Sequence, residues 1–123
     1  MSTRSLIGIQ RGNKVQYSYC HHDGYVDWVG KVLVNHYDTE PKVTELLSFG
    51  DMSCLEENTN ECIFYERDRD ERGCHRPEVN IDKYNFKLQD DAEYIYLFKD
   101  NEWYVRKWTS NTFKAVKDCL DEE

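Results

Sequence analysis

Apolar and polar positions alternate from Lys14 to Cys20, with Val15, Tyr17 and Tyr19 on one side and Gln16, Ser18 and Cys20 on the other. That period of two predicts a strand with one buried face. Leu6 to Gln10 reads as a shorter strand before it, and Arg11-Gly12-Asn13 supplies the turn, so the chain opens on a hairpin. His21-His22-Asp23-Gly24 breaks the pattern: Gly24 can take a positive φ, and Asp23 can bond the backbone beside it. From Tyr25 to Tyr37 the period becomes helical, with Val26, Val29, Leu33 and Tyr37 on one stripe. Gly30 inside that helix costs about 1 kcal/mol relative to Ala, which suggests a close approach by another element or a ligand.

A second helix is predicted from its ends. Thr39 is a fitting N-cap, Glu40 and Pro41 suit the first turn, Gly50 can close the last, and Val43, Leu46 and Leu47 form the core face. Asp51 to Glu61 reads as loop, Cys62 to Glu66 as a strand, and the mixed-charge run Arg67 to Gly73 as a solvated loop or hairpin tip. No regular pattern emerges from His75 to Asp91. Glu93 to Lys99 and Glu102 to Trp108 then flank Asp100-Asn101, a pair suited to a tight hairpin turn. Ser110 or Thr112 could cap a last helix carrying Phe113, Val116 and Leu120 on one face. The order β-β-α-α-β-β-β-α predicts an α+β fold: an antiparallel sheet of about five strands, with two to three helices on one face. Residues 1–123 are expected to form one ligand-binding domain.

Composition sharpens this picture. The 123 residues include nine Tyr, five Phe and three Trp, flat surface that serves a core, an interface or a platform for bases. Trp103, Tyr104 and Trp108 are expected to divide between core and interface. The net charge of −8 argues against general DNA or RNA binding, which needs cations to displace counterions from phosphates. A small anionic ligand remains compatible, because a few cations and oriented N–H groups can build a local site. No apolar run approaches the ~20 residues that cross a bilayer, and Met1 to Ile9 turns polar too quickly for a signal peptide. The five cysteines are odd in number and irregularly spaced, which predicts reduced thiols and a cytosolic location, not a disulfide framework.

The most unusual string is Tyr19-Cys20-His21-His22-Asp23-Gly24-Tyr25, where a strand gives way to a helix. Helix-end N–H groups suit a phosphate, Tyr19 and Tyr25 could stack on bases, and the imidazoles could donate to phosphate or base edges. The plainer alternative is a capping turn with Asp23 as N-cap. His21, His22 and Asp23 could also serve acid–base chemistry, but no nucleophile motif or Gly-rich phosphate loop accompanies them. Cys54, Cys62, Cys74 and His75 hold ligand atoms for zinc without a C-x-x-C pair to set its geometry. Arg4, beside Ser5 in the polar start, could grip a phosphate with two parallel hydrogen bonds.

Several of these segments together resemble a family of small phage proteins. They are Ser2 to Ile9, Tyr19 to Tyr25, Val29 to Leu33 with His36-Tyr37, Leu46 to Ser53 with its Gly50-Asp51-Met52-Ser53, and Glu93 to Phe98 with Trp103 to Val105. The likeness covers both ends of the chain and skips Glu56 to about Leu88. The family is identified as the phage anti-CBASS cyclic-nucleotide sponges of the fourth described type. It departs at His22, where an aromatic such as Trp is expected. The resemblance implies a non-enzymatic immune-evasion protein of the host bacterial cytoplasm, a homo-oligomer (tetrameric where known), without cofactors. It would sequester cyclic dinucleotides such as 3′3′-cGAMP uncleaved. Matching motif positions make Arg4, Ser5, Tyr19, His21, His22, Asp23 and Tyr25 the expected ligand-binding residues. The alternatives are a sponge or inhibitor for another nucleotide immune signal, a small phosphodiesterase using His21 and His22, and a protein-binding inhibitor or acidic nucleic-acid mimic suggested by the charge of −8.

Overall fold

Four successive buried residues, Leu6, Ile7, Gly8 and Ile9, place the first strand at the centre of the sheet, because a strand covered on both faces carries apolar side chains at every position. The computed structural model describes residues 3–87 and 92–121, with strands β1 (Ser5–Arg11), β2 (Lys14–Cys20), β3 (Met52–Cys54), β4 (Ile63–Phe64), β5 (Val79–Asn80), β6 (Tyr94–Lys99), β7 (Glu102–Lys107) and β8 (Lys114–Ala115). A wide π-type turn, Val26–Gly30, runs on into α1 (Lys31–His36); α2 (Glu40–Ser48), α3 (Tyr65–Arg69) and α4 (Val116–Asp121) follow, with a second π-type turn at Lys83–Lys87.

The fold is α+β, on one open sheet of order β4-β3-β2-β1-β6-β7-β8, with β5 on the outer side of β2. The sheet is mixed, which corrects the antiparallel expectation. β1 runs parallel to β6, in register from Ser5↔Tyr94 to Ile9↔Phe98, and β2 meets β3 in parallel at Cys20↔Met52. Its eight strands also exceed the expected five; β3, β4, β5 and β8 span two or three residues each, too short to show a period.

One face packs on α1, α2 and α4, burying Ile7, Ile9, Leu33, Leu46, Tyr96, Phe98, Trp103 and Val116 in one cluster. Gly30 fits the expected close approach: a Cβ there would lie 3.1 Å from Val116 and 3.5 Å from the Tyr96 ring. The opposite face carries Leu6, Val15, Tyr17, Ile95 and Leu97, covered by Val79 and Tyr84. Tyr84 is fully buried and donates its hydroxyl hydrogen to the Tyr96 carbonyl at 2.6 Å. Arg106 lies on this side, donating to the carbonyls of Ser110, Lys107 and Asn85.

Both hairpins form where expected, with Gly12 at φ 62°, and Asp100 and Asn101 at φ 51° and 61°. Thr39 caps α2 through its backbone carbonyl, which accepts from Val43, while its side chain makes no capping bond. Other readings need correction. Arg67 to Gly73 is not simply solvated: α3 carries Arg67 across the rings of Phe49 and Phe64, at 5.2 and 4.8 Å. Phe113 precedes α4 and packs on the far face beside Arg106. Part of the unpatterned stretch, residues 88–91, lies outside the described residues.

Gly8 is forced by packing: a Cβ there would stand 2.7 Å from Val15 Cγ1 and 2.8 Å from the Tyr84 ring. Gly8→Ala is therefore expected to lower stability by roughly 1–3 kcal/mol, read as a shifted urea midpoint with an unchanged m-value. Wild-type stability in that variant would show that the lid over this face yields freely.

Candidate functional site

Beyond β2 the chain continues two more rungs alongside β3, with the N–H groups of His21 and His22 donating to the carbonyls of Met52 and Ser53, each at 3.0 Å. It then turns sharply. Asp23, not Gly24, takes the left-handed conformation, at φ 57°, which short polar side chains tolerate. Gly24 is required for a different reason. Its N–H donates to the Thr3 carbonyl at 2.7 Å, and a Cβ would sit 2.8 Å from that oxygen and from Ser5 Cβ. This contact lays residues 3–5 against the loop and sets Arg4 beside His21.

Around that crossing the structure gathers cations and tyrosines. The Tyr19 hydroxyl lies 2.8 Å from His21 Nδ1, and the His21 and His22 rings meet edge to face at 4.6 Å. Arg76 stacks near Tyr17 and Tyr19, at 5.8 and 5.5 Å, while its Nε donates to both oxygens of Asp51 at 3.0 Å. Asp51, with a side chain only 12% exposed, also accepts from the Tyr19 N–H at 3.0 Å. One carboxylate thus fixes both the strand end and the arginine. On α3, Arg69 lies over its own Tyr65 at 5.5 Å, and Tyr65 is hydrogen-bonded to Ser53.

These charges act on one another. Partial burial first, and then the neighbouring His22, Arg4 and Arg69, hold the His21 pKa below its ordinary 6.5. At neutral pH His21 is therefore uncharged, and its Nδ1 can accept from Tyr19. Burial pushes the Tyr19 pKa upward, against the opposing pull of Arg4, so the phenol stays protonated and able to donate.

Of the expected residues, Arg4, Tyr19, His21 and His22 come together. Ser5 does not join them: it is fully buried beneath Gly24 and opposite Cys20, out of reach of a ligand. Asp23 and Tyr25 are exposed and bonded to each other at 3.3 Å, and Tyr25 faces a separate cavity across Gly24. Asp23 is not the N-cap, a position held by Tyr25 without a side-chain bond. The first-turn N–H groups of Trp28 and Val29 already donate to the carbonyls of Tyr25 and Asp23, so they are not available to a phosphate. Sequence reading missed Tyr65, Arg69 and Arg76. The four-residue spacing of Tyr65 and Arg69 was a usable signal, since it stacks two side chains on a helix.

Among the described residues no three His, Cys, Asp or Glu side chains are placed to hold a metal ion. Cys62 is instead buried, 3.7 Å from the Tyr37 hydroxyl, and its thiol accepts from the Glu56 N–H at 3.1 Å. No helix among the described residues is long and apolar enough to cross a membrane. Comparison with protein-family models, curated proteins and solved structures finds no match.

An imidazole titration checks the electrostatics. His21 should show an NMR midpoint below 6.5, and Arg4→Ala or Arg69→Ala should each move it upward by removing a repelling charge. A midpoint at or above the ordinary value would mean that these cations do not converge.

Proposed function

We propose that this protein binds a cyclic dinucleotide of the 3′3′-cGAMP kind and sequesters it without cleaving it, as an immune-evasion protein in a bacterial host's cytoplasm. One observation carries the reading: in a chain of net charge −8, Arg4, Arg69, Arg76, His21 and His22 collect beside Tyr19 and Tyr65 at one end of the sheet. Cations and flat rings are what a ligand with two phosphates and two bases requires. The resemblance of Tyr19 to Tyr25 and of the opening segment to the phage sponges supports the same assignment. Arg69, on an exposed position, and Arg4 would meet phosphate oxygens. Tyr19 and Tyr65 would stack on bases, each stack worth about 1–3 kcal/mol.

Capture needs affinity and no catalytic group. A nanomolar complex requires about 12 kcal/mol net, more than a shallow surface on one small subunit readily supplies. A homo-oligomer, a tetramer by the resemblance, would enclose the ligand between copies. Trp108, 66% exposed at the end of β7, offers apolar surface for such an interface.

Incubation with 3′3′-cGAMP, gel filtration and heat denaturation test the proposal. The ligand should elute with the protein and be released chemically intact. Arg69→Ala should weaken binding about tenfold or more without altering the thermal midpoint of the free protein. Affinity should also rise as the pH falls from 7.5 to 5.5, because bound phosphate favours the protonated His21 whose ordinary pKa of 6.5 is depressed in the free protein. Recovery of a linearised product would replace this reading with phosphodiesterase activity at His21 and His22, and absence of binding would end it.

A further inference from the structure

On the other side of Gly24 lies a cavity of about 510 Å³, walled by Tyr25 and Val26 against β7, β8 and α4. Pockets that enclose nucleotide-sized molecules run to roughly 300–1,000 Å³. Register explains its lining. Lys114 is paired with Val105, and Lys107 stands two residues along β7 on the same face, so two ammonium groups from neighbouring strands approach one space. Among the described residues neither lysine takes part in an ion pair, in a chain with 24 acidic side chains. Asp27 is the one carboxylate residue lining the cavity among the described residues.

The aromatic groups are also suited to a ligand. Tyr94 is half-buried, nearly parallel to Tyr96 at 21° and 6.4 Å, with Lys107 Nζ 5.8 Å from its ring centre. Tyr96 is itself fixed, donating its hydroxyl hydrogen to the Gly24 carbonyl at 2.7 Å. Tyr25, 39% exposed, supplies a second ring to the lining. Ser110 and Thr112 add polar groups on the side of the lysines.

From two tyrosine rings and two lysines outside any ion pair lining one space, we propose that this cavity is a second ligand site, taking a phosphorylated aromatic molecule of nucleoside monophosphate size. The ring lies between Tyr25 and Tyr94, and the phosphate meets Lys107 and Lys114. The site is independent of the one at His21, because the loop crossing at Gly24 stands between them and the two share no side chain.

Calorimetry with AMP as the probe, and with adenosine and inorganic phosphate as its two halves, tests this on the full chain. AMP should bind at least tenfold more tightly than either half. Lys107→Gln with Lys114→Gln should reduce that affinity tenfold or more, and Tyr25→Ala, on an exposed ring, should do likewise. Arg69→Ala should leave it unchanged, and AMP should still bind when 3′3′-cGAMP occupies the first site. Failure of AMP to bind, indifference to both lysines and Tyr25, or loss of binding in Arg69→Ala would each overturn the second site. Equal binding of phosphate alone would reduce it to a simple anion site and overturn the aromatic half of the proposal. Circular dichroism of each variant guards against unfolding as the cause. Retention of 3′3′-cGAMP by the lysine variants separates failure here from failure of the first site.

Discussion

The close crossing at Gly24 is the constraint on which the rest of this end of the molecule depends. Its N–H is held by the Thr3 carbonyl, its own carbonyl receives the Tyr96 hydroxyl, and no side chain fits between it and Ser5. Three parts of the chain distant in sequence are thereby locked at one point: the approach to β1, the exit from β2, and the middle of β6. Because backbone contacts at this distance tolerate little displacement, the side chains on either flank inherit a fixed geometry. His21 is held toward the arginines, and Tyr25 is turned toward the cavity beside α4.

Much of the fold was legible where the chain repeats itself. The stripe Val29–Leu33–Tyr37 and the turn at Asp100-Asn101 each express a local rule and took the expected form, whereas the alternation from Val15 to Tyr19 marked the strand but not its surroundings, since Ser18 and Cys20 are buried on the face expected to be polar. What escaped reading was non-local. Nothing in Leu6 to Ile9 announces that its neighbour is β6, and hence that the sheet is mixed. The two-residue strands β4, β5 and β8 have no period to detect, and they exist because β3, β2 and β7 offer edges to pair with. Phe113 was placed on the last helix by spacing alone, whereas the ring packs beside Arg106 on the opposite face.

The candidate site was half legible for a related reason. Tyr19, His21 and His22 are neighbours in sequence, and Arg4 reaches them by one crossing. Arg69 comes from a run that reads as charged surface, and Arg76 from the stretch after it that carries no regular pattern. Their role depends on partners elsewhere, Asp51 for Arg76 and the turn of α3 for Arg69. Ser5 shows the converse: a hydroxyl beside a suitable arginine looks available until the crossing of Gly24 over a strand covered on both faces buries it. Adjacency in sequence suggested a single site from Arg4 to Tyr25, and the fold divides those residues between two sides of one glycine.

The parallel pairing of β1 with β6 has a consequence for how the molecule is made. Ser5 to Ile9 find their partners about ninety residues further along the chain, so the central ladder closes a very long loop. Such closure is entropically costly and slow relative to hairpins. The β1–β2 hairpin can assemble early, yet one edge of β1 stays without its hydrogen-bonding neighbour until β6 is available. During synthesis that open edge is a ready template for pairing with another chain, so rapid expression should favour aggregation through it.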